Sequence, residues 1–272
     1  MQTVTSRLEL MASEVVATIG SGRQILPFTT RAEGLSIDEA YGVTSLVKRQ
    51  REKYGDVAIG RKIGFTNRNL WQRYNVHAPI WGYMYQSTVH ELRTSRSCRV
   101  DRFAEPLIEP EIVFGLARAP EPWMDENSLL SCIGWIAHGF EIVQSVYPDW
   151  KFSAADTVAA NGLHGALFIG QRHQIGAKLV EWHRILAGFQ ITLSCNGESV
   201  AYGRSSNVLS GPVSALGHLV RLLAQDHANP PLRANEIVTT GTLTDAMPVK
   251  PGQTWSTSLS GIELDGIDLH FD

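Results

Sequence analysis

Two glutamates stand two positions apart in the apolar segment LIEPEIVF, which begins at residue 107. If residues 107–114 form a strand, the alternation of side chains places Glu109 and Glu111 on the same face. Two like charges in a partly buried position need a shared proton, a basic partner or a divalent cation. Mg²⁺ and Mn²⁺ prefer oxygen ligands of this kind. The spacing therefore indicates either a cation site or the solvent-exposed face of an edge strand.

Three further residues could complete such a site. Glu141 lies in the apolar segment HGFEIVQSV, where an acid is seldom left unpaired, so it is either a third ligand or an ordinary salt-bridge partner. Lys62 lies between Gly60 and Gly64, which allow a ligand to approach closely; the alternative is a lysine on a strand surface. Histidine as a residue type titrates near neutrality when unperturbed, so His164 is a candidate general acid or base, although a lone histidine is more often structural.

Composition and missing motifs exclude several classes of function. The chain has 272 residues, and its 24 basic and 27 acidic residues give a net charge of −3 without a basic stripe, so nucleic acid is not an expected partner. No HxxxH, GxSxG, P-loop or GxGxxG pattern is present. Cys98, Cys132 and Cys195 are too widely spaced for a CxxC motif, which predicts a cytoplasmic location. No apolar run reaches the roughly 18–20 residues of a membrane span, so we expect no membrane association.

These residues need elements that position them. Ser36 is the expected N-cap of one helix, and Pro212 opens another. From residue 56 onward, short apolar runs broken by Gly, Pro and Asn predict strands, with a hairpin turn at Asn196-Gly197. The expected fold class is α+β, with a small helical or mixed N-terminal part over residues 1–75 and a β-rich domain over residues 76–272. Hydrophobic periodicity and helix start and stop signals predict helices over residues 5–20, 37–53, 126–137 and 212–225.

Seven segments agree, in order, with those of one known family. They are GRKIGFT, PLIEPEIVF, FEIVQS, DWKFSAADTVAANGLHGALFIG, NGESVAYG, SNVLSGPVSALGHLVRLLA and EIVTTGTLTDAMPVKPGQTW. Together they resemble the 2-keto-4-pentenoate hydratase / 4-oxalocrotonate decarboxylase family, which belongs to the fumarylacetoacetate hydrolase superfamily. The resemblance runs from about residue 40 to the C-terminus.

The resemblance implies a β-rich fold of the fumarylacetoacetate hydrolase type, forming a homo-oligomer. It implies that Mg²⁺ or Mn²⁺ is bound by Glu109, Glu111 and Glu141. Lys62 would then bind the substrate carboxylate or transfer a proton. His164, proposed from its residue type alone, is the second candidate catalytic residue. The implied substrate is a small 2-oxo acid or its 2-hydroxydienoate form, whose C2 oxygen carries the developing negative charge. The residues expected to bind it, besides Lys62, are Trp71, Asn161, Leu163, Gly241 and Thr242.

The chain departs from the family pattern at two places. Where the family reads close to DTVADNAS, this chain has Ala160 and Leu163 in place of the second Asp and the Ser. We expect His164 to take over the placing of water or of a distal carboxylate. Where relatives often have a Met-Gln pair, this chain has Trp71 and Gln72, which suggests a more aromatic substrate pocket.

The preferred hypothesis is a metal-dependent hydratase, a lyase that adds water to a 2-hydroxy-2,4-dienoate in the breakdown of aromatic compounds. One alternative is a decarboxylase of an oxalocrotonate-like diacid, which needs a cation near the far end of its substrate; the candidates are Arg61, Arg68 and Arg73. Another is an acylpyruvate hydrolase, with His164 as the base that activates water. A non-catalytic assembly subunit is a third alternative.

Overall fold

A computed structural model describes residues 4–68, 71–74, 76–176 and 178–272, and arranges them as two β-sheets with helices around them. The α+β fold class is therefore confirmed. None of the described helices is both long and apolar enough to cross a membrane. The described helices are α1 (Val4–Thr18), α2 (Ile37–Lys53), α3 (Trp71–Tyr74), α4 (Glu126–Leu130), α5 (Ala154–Ala159), α6 (Leu179–Leu186) and α7 (Pro212–Gln225).

The strands alternate with these helices along the chain. Those of the larger sheet are β1 (Ala58–Gly64), β2 (Ile80–Tyr85), β3 (Val89–Glu91), β5 (Leu107–Leu116), β6 (Ile133–Val143), β7 (His164–Ile169), β8 (His173–Gln174), β11 (Ile237–Thr239) and β12 (Met247–Pro248). Those of the smaller sheet are β4 (Ser97–Cys98), β9 (Gln190–Cys195), β10 (Glu198–Arg204), β13 (Thr254–Ser260) and β14 (Asp268–Phe271).

The larger sheet has the strand order β2-β1-β11-β5-β6-β7-β3, with β12 paired to β5 and β8 paired to β6. The smaller sheet has the order β10-β9-β13-β14-β4. Side chains of β6 and β7, such as Phe140 and Phe168, share a buried cluster with Trp255 and Leu269 of the smaller sheet. This cluster joins the two sheets, since it excludes water from facing strands of both.

Local signals in the sequence explain several of the element boundaries. Ser36 caps α2: its hydroxyl accepts a hydrogen bond from the Glu39 backbone N–H, and the Glu39 carboxylate accepts one from the Ser36 N–H. Pro212 occupies the first turn of α7, as expected. Asn196 and Gly197, with φ values of 51° and 85°, form the tight turn between β9 and β10.

The helix predicted over residues 126–137 is wrong beyond Leu130. Residues 133–143 instead form β6, which pairs with β5 along nearly its whole length. The apolar residues of this segment suit either structure, and cross-strand pairing, which is non-local, decides between them. The correction matters because β6 carries Glu141.

The N-terminal helices pack beside the chain segment that leads to the site. Buried residues of α1 and α2 share one cluster with Tyr147 and with α5. The Asp156 carboxylate accepts hydrogen bonds from the N–H and hydroxyl of Thr29 and from those of Ser153, which fixes the start of α5. Strand β1 lies inside the larger sheet, between β2 and β11. The division into residues 1–75 and 76–272 stays a prediction.

Candidate active site

The three glutamates lie together on one face of the β5–β6 hairpin. Glu109 is directly opposite Glu141 in the strand register, and Glu111 follows Glu109 on the same face. One carboxylate oxygen from each can be chosen so that all lie within 4.8 Å of one another. Glu111 and Glu141 are fully buried, and Glu109 is half-buried beside a cavity. Three converging carboxylates of this kind can hold a metal ion. Their burial does not fit the alternative of a solvent-exposed edge strand.

Burial makes the charges of this cluster costly. It raises the pKa of Glu109 to about 7, with Lys62 opposing the shift and Glu141 adding to it. Burial also raises the pKa of Glu111 well above its ordinary value, and the other two carboxylates reinforce the shift. Glu141 behaves differently: burial raises its pKa, but Lys62 and a hydrogen bond from His164 outweigh burial and lower it. Glu141 is thus the member of the cluster that is held most firmly as an anion.

The donor set fits a hard divalent cation. Oε1 of Glu111 and Oε2 of Glu141 are buried and accept no hydrogen bond within the described structure. The Glu141 oxygen has the Lys62 ammonium 3.5 Å away as a charge partner, and a cation that takes oxygen ligands would serve the Glu111 oxygen as well. The other oxygen of Glu111 accepts a hydrogen bond of 2.6 Å from the Gly241 N–H, which leaves its unpartnered oxygen free to bind an ion.

Lys62 is the cation of the cluster. Its Nζ lies 3.5 Å from Glu141 Oε2, and its side chain is almost wholly buried. Burial lowers its pKa, but the three glutamates, Glu141 first, outweigh burial and raise it. Gly82, its partner on β2, leaves room for the Asn161 carbonyl: a Cβ there would lie 2.2 Å from that oxygen. The missing side chain therefore lets the 161–163 turn pack against Lys62.

His164 lies behind Glu141 and does not line the cavity. Its Nδ1 is 2.8 Å from Glu141 Oε1, and its Nε2 is 2.9 Å from the Thr88 hydroxyl. Because a carboxylate can only accept, Nδ1 is the donor to Glu141. Both ring nitrogens are engaged and the ring is buried, so the geometry fits the orientation of Glu141 better than the expected transfer of protons to substrate.

The cavity beside the cluster has a volume of about 600 Å³. Lys62, Glu109, Leu163, Gly241 and Thr242 all line it. Gly241 has a φ of 94°, and a Cβ there would lie 1.9 Å from the Thr66 hydroxyl, so a glycine is required. The buried members of the lining mark an inner end, and the exposed Asp149 and Asp245 mark the mouth.

Two residues predicted to bind substrate lie elsewhere. The Asn161 amide group accepts from the Tyr83 N–H at 2.8 Å and donates to the Tyr83 carbonyl at 2.7 Å, so it extends β2 like a paired strand residue. The Trp71 indole donates to the Phe65 carbonyl at 2.8 Å and packs against the core. Neither side chain lines the cavity. Asn161 and Trp71 thus shape the site through the backbone of their neighbours.

The arginines suggested for a distal carboxylate do not line this cavity within the described part of the chain. Arg61 lies on the opposite face of β1 and forms an ion pair with Glu236. The Arg68 guanidinium lies 5.8 Å from the centre of the Trp71 ring. The side chain of Arg73 lies outside the described residues.

Sequence reasoning missed three residues of the site. Thr88 is the last of three polar residues that follow β2, and its contact with His164 joins positions 76 residues apart, so no local signal in the sequence indicates it. Trp150 and Phe152 line the cavity, with ring centres 6.0 Å apart. The sequence offered one signal for Trp150 and Phe152: two aromatic residues follow a Pro-Asp pair in a polar connection. Aromatic rings in such a connection are stabilised by packing against other apolar groups.

Comparison with known proteins gives consistent matches along the chain. The family model described as fumarylacetoacetate (FAA) hydrolase C-terminal matches residues 66–264. A 2-hydroxyhexa-2,4-dienoate hydratase of Comamonas testosteroni is 29% identical over 94% of each chain. A 2-keto-4-pentenoate hydratase of Paraburkholderia xenovorans (strain LB400) is 27% identical over 93% of this chain and 91% of the relative.

The fold has a close solved counterpart. The structure of 4-oxalocrotonate decarboxylase from Pseudomonas putida G7, complexed with magnesium and adipate, covers 100% of this chain and 99% of its own, with a TM-score of 0.89 and 22% identity. At that identity the likeness concerns the fold. Together these matches confirm the resemblance that the seven sequence segments indicate.

Proposed function

Because the chain belongs to the fumarylacetoacetate hydrolase family, we propose that it adds water to a 2-hydroxy-2,4-dienoate and yields a 4-hydroxy-2-oxo acid. One observation carries the proposal: three converging glutamates and Lys62 lie at the buried end of a cavity. The names of the two hydratase relatives support the substrate class. The enzyme would be a lyase in the breakdown of aromatic compounds.

The proposed ion is Mg²⁺ or Mn²⁺, with Glu109, Glu111 and Glu141 as its protein ligands. Such an ion supplies positive charge that stabilises the negative charge developing on the C2 oxygen of the substrate. The Gly241 N–H fixes Glu111, and the His164 ring fixes Glu141. These contacts orient the carboxylates before any ion binds, which reduces the ordering that binding requires.

The side chains of the cavity wall have complementary tasks. The Lys62 ammonium can donate hydrogen bonds to the C1 carboxylate of the substrate, which holds the conjugated chain along the cavity. Thr157 and Thr242 donate their hydroxyl hydrogens to backbone carbonyls at 2.7 and 2.9 Å, so their oxygens remain able to accept from the attacking water. The apolar wall excludes further water.

The reaction balances in two stages. The dienol loses its hydroxyl hydrogen and gains one at C5, which gives a 2-oxo-3-enoate. Water then adds across C3 and C4, with its oxygen on C4 and a hydrogen on C3. Both stages place negative charge on the C2 oxygen, so one centre of positive charge serves both.

The cavity wall favours hydration over the two enzymatic alternatives. A decarboxylase of a diacid needs a cation for the second carboxylate, and Lys62 is the cationic residue on the described cavity wall. A hydrolase that uses His164 as its base needs that ring in the cavity, whereas it lies behind Glu141. A homo-oligomer and a cytoplasmic location remain predictions that accompany the proposed function.

The proposal is tested by incubating the protein with Mg²⁺ or Mn²⁺ and several 2-hydroxy-2,4-dienoates while the dienol absorbance is followed. We expect the absorbance to disappear with formation of a 4-hydroxy-2-oxo acid and without release of CO₂. The double variant E109Q/E111Q should lose bound metal and turnover together, and E198Q on the exposed strand β10 is the matched control. Metal-loaded protein that leaves every dienoate unchanged would sink the proposal.

A further inference from the structure

The far part of the cavity is apolar. Trp150 and Phe152 line this part, and Leu163, in the turn that packs against Lys62, lines the cavity further in. Leu163 is 6% exposed, and the two aromatic rings are half-buried towards the mouth. Their ring centres are 6.0 Å apart at an interplanar angle of 60°. Such a wall gains most from a ligand with apolar surface of its own.

The backbone holds Trp150 in place against this cavity. Asp149 and Trp150 both adopt left-handed conformations, with φ values of 58° and 55°, which side-chain-bearing residues rarely do. Glu105 compensates: its carboxylate accepts from the Asp149 N–H at 3.1 Å, and its carbonyl accepts from the Trp150 indole at 3.2 Å. Because the polar edge of the indole is already paired, the ring has only apolar surface left for a ligand.

The charges around the mouth disfavour an anionic ligand end. Asp149 and Asp245 are exposed and line the mouth, and the charged residues on the described inner wall are Lys62 and Glu109. The Lys62 ammonium is 3.5 Å from Glu141 and serves the inner end. The Lys151 ammonium lies 3.1 Å from the Asp149 carboxylate and offsets its charge, so a second carboxylate at the far end of a substrate would meet Asp245 and an apolar wall.

The size of the cavity points the same way. At about 600 Å³ it falls within the range of roughly 300–1,000 Å³ that is typical of pockets for drug-sized ligands. A five-carbon dienoate would fill little of this volume, and it would leave the side chains of Trp150, Phe152 and Leu163 without apolar contacts to the ligand.

We propose that the far end of the substrate is an uncharged apolar chain or ring, held between Leu163 and the Trp150–Phe152 pair. This inference rests on the proposed function, because it takes the glutamates and Lys62 as the site of the 2-oxo acid end. It specifies the substrate class as dienoates with a bulky apolar substituent at C5.

The test measures binding separately from turnover. Saturated 2-oxo acids lack the double bond that is hydrated, so calorimetry with Mg²⁺-loaded protein gives dissociation constants for 2-oxopentanoate, 2-oxo-5-phenylpentanoate and 2-oxoadipate. We expect the phenyl compound to bind about tenfold or more tightly than 2-oxopentanoate, and 2-oxoadipate to bind about tenfold more weakly. Equal constants, or tighter binding of 2-oxoadipate, would overturn the inference without touching hydration.

Variants of the wall residues test which side chains cause the tighter binding of the phenyl compound. In W150A the ratio between the 2-oxopentanoate and phenyl constants should fall below about threefold, because the aromatic wall is lost. L163S should lower the same ratio without disturbing the 148–150 turn. W123A is the matched control, since Trp123 is 77% exposed and outside the cavity. An unchanged ratio in both W150A and L163S contradicts the inference, whereas dienoates that bind in this order and stay unhydrated would contradict only the proposed function.

Discussion

Arg61 and Lys62 are neighbours in β1, yet their side chains lie on opposite faces of the sheet and in opposite surroundings. Both are buried, at 2% and 3% exposure. Arg61 pairs with one acid, Glu236, donates to the Pro230 carbonyl at 3.3 Å, and lies 4.1 Å from the centre of the Tyr83 ring. Lys62 instead faces three carboxylates.

The difference between the two faces lies in their balance of charge. Arg61 is paired with Glu236, on which Arg233 and Lys48 also act, so basic residues outnumber the acid on this face. The Tyr83 ring adds to the pairing. Around Lys62 the acids outnumber the base, and one oxygen each of Glu111 and Glu141 accepts no hydrogen bond within the described structure. The buried Arg61 Nε also lacks a hydrogen-bond partner within the described structure, so it is the excess of acids around Lys62 that marks a site for a cationic ligand.

The largest expected effect is a loss of activity on the Lys62 face, compared with a loss of stability on the Arg61 face. We expect E111Q to lower kcat/KM by about 1,000-fold, or about 4 kcal/mol of transition-state stabilisation, because a metal ligand is lost. E236Q should leave kcat/KM nearly unchanged and lower the free energy of unfolding by about 2 kcal/mol, because Arg61 stays buried without its counter-charge. Steady-state kinetics and urea unfolding of both variants give the comparison.

The unfolding of metal-free E111Q sharpens the contrast. Burial already disfavours the ionised form of Glu111 in metal-free protein, so E111Q should change the Tm little, whereas E236Q should lower the Tm by about 4 °C. If both variants are destabilised to the same extent with activity intact, the two faces do not differ as described.

The sequence predicts the inner part of the site better than its surroundings. Alternation in β5 places Glu109 and Glu111 on one face, and register with β6 then adds Glu141. The same rule separates Arg61 from Lys62, so Arg61 could have been excluded from the cavity once residues 58–64 were assigned to a strand. These predictions succeed because period and facing direction are local properties of the chain.

Contacts between distant segments were not predictable in this way. The hydrogen bond between His164 and Thr88, and the use of the Asn161 amide group on the Tyr83 backbone, depend on how β2 meets the 161–163 turn. The predicted helix over residues 126–137 failed for the same reason, since its second half is a strand only because β5 lies beside it. Non-local pairing of this kind overrides local propensity.

Metal binding should stabilise the protein through the Lys62 face alone. At a free Mg²⁺ concentration of about 100 times its Kd, the native state gains about 2.7 kcal/mol, or about 5 °C in Tm. In E236Q the Tm should rise by the same amount on addition of Mg²⁺, from a lower Tm without metal, because the Arg61 face binds no ligand. E111Q should show little or none. A full rise in E111Q, measured by thermal unfolding with and without Mg²⁺, would place the ion elsewhere.

The smallest effect concerns His164, which touches Glu141 and not the cavity. H164L removes the hydrogen bond to Glu141 Oε1, so we expect the Kd for Mg²⁺ to rise about 10–100-fold, as for other groups that orient a metal ligand. H164N places an N–H near the position of Nδ1 and should restore the Kd to within about threefold of the wild type. Calorimetric titration of metal-free protein measures both.

A positioning role and a catalytic role for His164 differ in their dependence on metal concentration. If the ring only orients Glu141, saturating Mg²⁺ should restore most of kcat in H164L, because the carboxylate is then held by the ion. If His164 transfers protons, kcat should stay low in both H164L and H164N however much metal is added. On the Arg61 face no such rescue is expected, because Mg²⁺ does not replace the charge that E236Q removes. The metal dependence of kcat in these three variants therefore tests whether the acids around Lys62 are arranged for a ligand.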